Sequence, residues 1–168
     1  MGLDLTVATL NEIEQTRNDC RRMVTRRALV SGAAVLVPLP GTDLVADVGM
    51  LMQLLPRINA SFGLSIEQVE ELTPELKIMV FDLAKRFGTK LIGKAITTSL
   101  VTSLISRMGL RIGVKGIAKF VPFVGQAAAA AISISVMRYV GNSHVEACYK
   151  LARHLVAQRY GAKMDGLA

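Results

Sequence analysis

Apolar positions recur at helical spacing along almost the whole chain. After Thr42 they fall at Leu44, Val48, Leu51, Met52, Leu55 and Ile58, which predicts one helix with a single buried face. A second stripe runs through Leu91, Ile92, Ala95, Ile96, Leu100, Leu104, Ile105 and Met108, with Lys90 and Lys94 toward its other face. Residues from about Leu5 to Val37 read as one long helix, polar first and apolar later, with Arg21, Arg22, Arg26 and Arg27 around its middle. Nowhere does the two-residue alternation of a half-buried strand hold. The expected fold class is therefore all-α, a compact bundle of about six helices.

Prolines and glycines punctuate this pattern. Pro38 and Pro40 cannot continue a helix, and each drives its predecessor out of the α region. Gly41 lets the chain turn, and Thr42 or Asp43 can cap the helix that follows. Phe62-Gly63 closes that helix with glycine as C-cap. Ser65 and Gln68 form a capping-box signature for a short helix. Thr73-Pro74-Glu75 starts another, which ends at Phe87-Gly88. Gly109, Gly113 and Gly116 interrupt or loosen a segment in which Arg107, Arg111, Lys115 and Lys119 recur every four residues. If that segment stays helical, those four make a drifting basic stripe. Last comes FVPFVGQAAAAAISISVMRYV, then a more polar helix to about Tyr160. Val37–Gly41 and Val121–Gly125 repeat one design, each followed by an apolar helix. The bundle is thus expected to form around two Pro-Gly hairpins, with Pro38, Pro40, Gly41, Pro122 and Gly125 as structural turns.

A length of 168 residues suits one domain with a real core. The 51% hydrophobic content is rich for a soluble domain and poor for a polytopic membrane protein. From Phe120 to Met137 the chain is uncharged for 18 residues, the minimum for a bilayer span. Pro122, Gly125, Gln126 and two serines interrupt it, so a buried core helix is the expectation and a membrane-inserting hairpin the alternative. Cys20 and Cys148 are too few for a disulfide framework, and the opening MGLDLTVATLNEIEQ lacks a signal-peptide pattern. Both favour a cytoplasmic setting.

Charge changes the picture more. Met1 to Asp82 holds seven Lys/Arg and eleven Asp/Glu, whereas Leu83 to Val145 holds nine Lys/Arg and no acid. Such asymmetry favours an anionic partner, either a membrane surface, a nucleic acid or an acidic protein. The candidate contact residues are Lys90, Lys94, Arg107, Arg111, Lys115 and Lys119. Nucleic acid is the weakest of the three, because aromatics are only 5% and no recognised binding motif appears.

Catalytic chemistry fares poorly. Gly88–Ala95 matches GxxxxGK, but Ala95 replaces the magnesium-binding Ser/Thr and the preceding FDLAKRF is helical rather than a strand. His144 and Cys148 stand four apart, half of a metal site that only Cys20 or His154 could extend, and they read as a structural histidine and a packed thiol. No G-x-S-x-G is present. Neither enzyme activity nor a cofactor or metal is expected. Asp43 suits the first turn of its helix, while Asp47 one turn on either pairs at a solvated edge or builds a polar site with Asp43.

The segments VPLPGTDLVADVGMLMQLLPRI, LSIEQVEEL after Phe62-Gly63, and KFVPFVGQAAAAAISISVMRYVG resemble the YcjF-type family of helical domains, over roughly Arg27 to Ala152. The family's Pro-Asp pattern falls on Pro40, Gly41 and Asp43, and its second turn on Pro122 and Gly125. That resemblance implies a module fused to, or encoded beside, a GTPase of the Era/dynamin-like class, often at a bacterial membrane. This chain has no GTPase motif of its own, so any nucleotide chemistry would be supplied in trans. The expected function is a non-enzymatic helical module acting with a GTPase at a membrane surface through a basic face, peripherally attached to the cytoplasmic membrane. Two alternatives stand beside it. One is a soluble interaction domain that docks an acidic partner or forms a homo-oligomer, and the other is a membrane-inserting, pore-forming protein.

Overall fold

Thr9 starts the first helix. Its Oγ1 accepts the Glu12 N–H at 3.3 Å, and Glu12 Oε2 accepts the Thr9 N–H and hydroxyl at 2.8 Å each. This capping box sets α1 at Leu10–Ala34, so the helix expected from about Leu5 begins later. Before it, Asp4 Oδ1 accepts the Thr6 N–H at 2.9 Å and the Thr6 hydroxyl at 2.6 Å, folding the chain into a turn instead. The computed structural model describes residues 2–34, 42–87, 89, 91–112 and 122–165, with backbone alone at 34, 42–47, 107–112, 122–129 and 160–165. Among them the fold is all-α. After α1 come α2 (Thr42–Ser61), α3 (Ile66–Glu70), α4 (Pro74–Arg86), α5 (Thr98–Ile112) and α6 (Pro122–Asp165).

Glycine closes α2 as its sequence predicts. The Leu64 N–H reaches Asn59 O at 2.9 Å and the Gly63 N–H reaches Ala60 O at 3.2 Å, with Gly63 at φ +71°. A Cβ on Gly63 would stand 2.4 Å from the Leu3 carbonyl oxygen. Gly63→Ala is therefore expected to cost about 2 kcal/mol in urea denaturation, whereas Gly49→Ala, which meets open space inside α2, should be neutral or slightly stabilising.

The capping box of α3 also forms, with Gln68 N–H on Ser65 Oγ at 3.3 Å and Ser65 N–H on Gln68 Oε1 at 3.0 Å. Pro74 opens α4, and Thr73 takes the cap position without a side-chain bond.

Two further expected elements differ. The stripe from Leu91 to Met108 is not one helix. Gly93 adopts φ +61°, and Thr97 caps α5 by accepting the Leu100 N–H on Oγ1 at 3.4 Å and the Val101 N–H on its carbonyl at 3.1 Å. Leu91 and Ile92 are buried all the same, but from a turn. The left-handed glycine and the cap override the apolar period. At the other end, α6 runs unbroken through 44 residues, joining what reads as an apolar and then a polar helix.

The chain forms two compact units. The first comprises Met1–Arg21, Leu55–Ala95 and Ser143–Ala168, and the second Arg22–Leu54 and Ile96–Asn142. Helices α1, α2 and α6 each give one end to each unit. The first unit buries Ile13, Ile58, Phe62, Val80, Ile92 and Leu151. In it, Arg159 donates to the carbonyls of Leu5 (3.0 Å) and Ala8 (2.6 Å), tying the N-terminal turn to α6.

The second unit buries Val24, Ala28, Leu51, Leu54, Val101 and Met137. There α1 and α6 approach closely. The Ser31 and Ser133 hydroxyls lie 2.9 Å apart, and a Cβ on Gly141 would come within 2.7 Å of Val24 Cγ1. Val24 is β-branched and has little rotamer freedom to yield, so glycine at 141 sets the separation of the two helices.

Candidate functional site

Within the first unit, side chains from α2 and α6 meet in a buried polar node. Asn59 Nδ2 donates to the Leu91 carbonyl at 2.8 Å. Its Oδ1 is thereby turned to His144, whose Nε2 lies 2.8 Å away and carries the proton. The Cys148 thiol points at the same oxygen at 3.5 Å and sits 3.7 Å from Nε2. All three side chains are buried.

Burial holds the His144 imidazole at about pH 4, so it is neutral under ordinary conditions. The same cause pushes the Cys148 thiol well up, and Cys20 up as well. Neither thiol is a thiolate near neutrality, so neither is poised as a nucleophile. Among the described residues no three His, Cys, Asp or Glu come together as a metal site. An amide, not a third ligand, faces the His144–Cys148 pair. The node pins the turn around Leu91 to α2 and α6.

On the surface of the same unit, Arg17 grips Glu146 with both arms of its guanidinium, Nε at 2.8 Å and a terminal nitrogen at 3.0 Å. It also bonds Glu14 at 2.9 Å and stacks 4.5 Å above the Tyr149 ring. Tyr149 first, and then Arg17, hold the Glu14 carboxyl below its usual range by hydrogen bonding. This cluster is internally satisfied and binds α1 to α6.

The second unit offers a different chemistry. By sequence its spans hold eight Lys/Arg and two Asp/Glu, against twelve and eleven in the first unit. Nearly all of the net charge of +7 therefore resides there. On α1, Arg22, Arg26, Leu29, Val30 and Ala33 are exposed, Leu29 at 58% and Val30 at 57%. On α6, Ser135, Arg138 and Tyr139 are exposed. Among the described residues no helix is long and apolar enough to cross a membrane.

The residues singled out from sequence distribute as follows. Lys94 is exposed in the turn after Gly93, in the first unit, whereas Arg107 and Arg111 lie on α5 in the second. Asp43 and Asp47 occupy the first turns of α2, Pro122 opens α6, and Gly125 lies in its first turn. Pro38, Pro40, Gly41, Lys90, Lys115 and Lys119 lie outside the described residues. Arg22 and Arg26 escape a linear charge count because the acids of α3 and α4 share their stretch of sequence but not their unit. Asn59 carries no sequence signal, since a lone amide on an apolar stripe is indistinguishable from a solvated one. Compared with known proteins, the chain matches no family model, no curated protein and no solved structure.

Proposed function

We propose that this chain is a non-enzymatic helical module that docks on an anionic membrane surface through its second unit and works there with a GTPase supplied in trans. The observation that carries the membrane half is the segregation of charge by unit, eight Lys/Arg against two Asp/Glu in one and near balance in the other. The GTPase half rests on the YcjF-type resemblance, and the reading of the fold as about six helices built around two Pro-Gly hairpins rests on the apolar periodicity and on the repeated design at Val37–Gly41 and Val121–Gly125. Each Lys or Arg held near an anionic leaflet contributes about 1 kcal/mol, so a unit with this excess needs little else for reversible attachment to the cytoplasmic face. Arg107, Arg111, Lys115 and Lys119 contribute to that contact with Arg22, Arg26 and Arg138. Lys90 and Lys94 belong to spans of the other unit and contribute less.

Co-sedimentation with phosphatidylglycerol-containing and pure phosphatidylcholine vesicles tests this. Binding to the anionic vesicles alone is expected, and it should weaken as salt rises from about 50 to 500 mM, because added ions screen surface charge. Protein left in the supernatant with both vesicles would retire the membrane reading in favour of a soluble domain that docks an acidic protein. Release of an entrapped dye would instead indicate a pore-forming protein.

A further inference from the structure

Helix α1 shows opposite faces to core and solvent in its second half. Val24, Ala28 and Ser31 are buried, while Arg22, Arg26, Leu29, Val30 and Ala33 are all exposed. At 3.6 residues per turn the exposed five fall in one stripe about 100° wide, centred opposite the buried three. The stripe is graded along the axis. Arginines come first and aliphatics follow, Val30 lying about 6 Å further along the helix than Arg26.

Scattered exposed aliphatics need no explanation. Here two large ones are adjacent, on the outer face of a helix whose Arg22–Ala33 segment contains no acid, in the unit that holds nearly all of the net positive charge. We infer that this stripe is where the protein enters an anionic bilayer. Leu29 and Val30 reach the boundary between headgroups and acyl chains, and Arg22 and Arg26 sit at the level of the lipid phosphates. Because the gradient runs along the axis, α1 meets the surface by its C-terminal end rather than lying flat. Arginine suits that position, since its planar fork pairs two N–H groups with phosphate oxygens. Charge selects lipid over a second copy of the chain, because two such segments bring arginines together in one interface with no acid between Arg22 and Ala33 to offset them. The inference rests on the membrane reading above and assigns its point of contact.

The chain has no tryptophan, so Leu29→Trp carries a single fluorescent reporter at an exposed site. Ile78→Trp, exposed on α4 in the first unit, is the control. With vesicles of equal parts phosphatidylglycerol and phosphatidylcholine, Leu29→Trp emission is expected to shift to the blue and to be quenched by acyl-brominated lipid, while Ile78→Trp emission stays unchanged. The pair Leu29→Asn and Val30→Asn, with circular dichroism unaltered, should weaken vesicle binding roughly tenfold by removing the apolar insertion. If wild-type protein sediments with the vesicles but Leu29→Trp emission does not move, the inference falls and the membrane reading stands. Failure of the wild type itself to sediment overturns both. A blue shift with polyglutamate and none with vesicles would reassign the stripe to an acidic protein.

Discussion

Asn59→Ala is expected to lose about 4 kcal/mol of unfolding free energy, a large share of the stability of a chain this size. The substitution removes the donor to the Leu91 carbonyl and the acceptor for His144 Nε2–H, and both orphaned groups stay buried. Each such group costs about 1–3 kcal/mol, and the vacated volume adds to the loss. Urea denaturation reads the total. Amide exchange reads its location, because the turn at 91–93 should lose protection before α4 or α6 does. Arg57→Ala, exposed two positions before Asn59 on the other side of the helix, should change stability by less than about 0.5 kcal/mol. An Asn59→Ala protein as stable as the parent would mean that Leu91 is held by its own burial and not by the amide.

The second large effect is pH-dependent. In the unfolded chain His144 titrates near 6.5, and in the folded chain burial delays protonation to about pH 4. Between those values the unfolded state binds a proton that the folded state refuses, so stability is complete above pH 6.5 and declines as pH falls toward 4. The loss over that window is about 3 kcal/mol. Asp4, Glu12, Glu14 and Glu67 also have lowered values, from ordinary ones of 3.8 to 4.5, so their contributions are lost only in the acid end of that window and below it. The decline between pH 6.5 and 5 thus belongs mostly to His144. His144→Gln keeps an N–H for Asn59 and removes the titration, so its unfolding free energy should be flat across the same interval. An equal slope in parent and variant would place the titrating group elsewhere.

Helix class and most stops are readable from local chemistry, because each depends on two or three neighbouring residues. Gly63, the Ser65–Gln68 box and Pro74 all act within one turn of where they sit. The Thr9–Glu12 box is just as local, but apolar and polar periodicity runs smoothly across it and conceals the start of α1. The Leu91–Met108 stripe misleads for the converse reason. Leu91 and Ile92 are buried, which periodicity detects, yet a turn buries them as well as a helix does. Pro56 would argue for a break in α2, and the helix continues through it.

The site is harder to read than the fold. His144 and Cys148 are visible as a pair, but their partner Asn59 lies 85 positions from His144 and only the fold unites them. Charge is legible in bulk and misassigned in detail. A linear window groups Lys94 with Arg107 and sets Arg22 among acids, whereas the compact units reverse both groupings.

That regrouping is the central claim, and one comparison tests it most directly. Arg26, Arg107 and Arg111 are changed together to glutamine in one protein, and Lys85, Arg86 and Lys94 in another, so that each loses three charges, the first set from the second unit and the second set from the first. Affinity for phosphatidylglycerol-containing vesicles is then measured for both at low salt. At about 1 kcal/mol per residue the first protein should bind on the order of a hundredfold more weakly than the parent, and the second should stay within about threefold. Equal losses in the two proteins would contradict a docking unit and leave only net charge as the attraction.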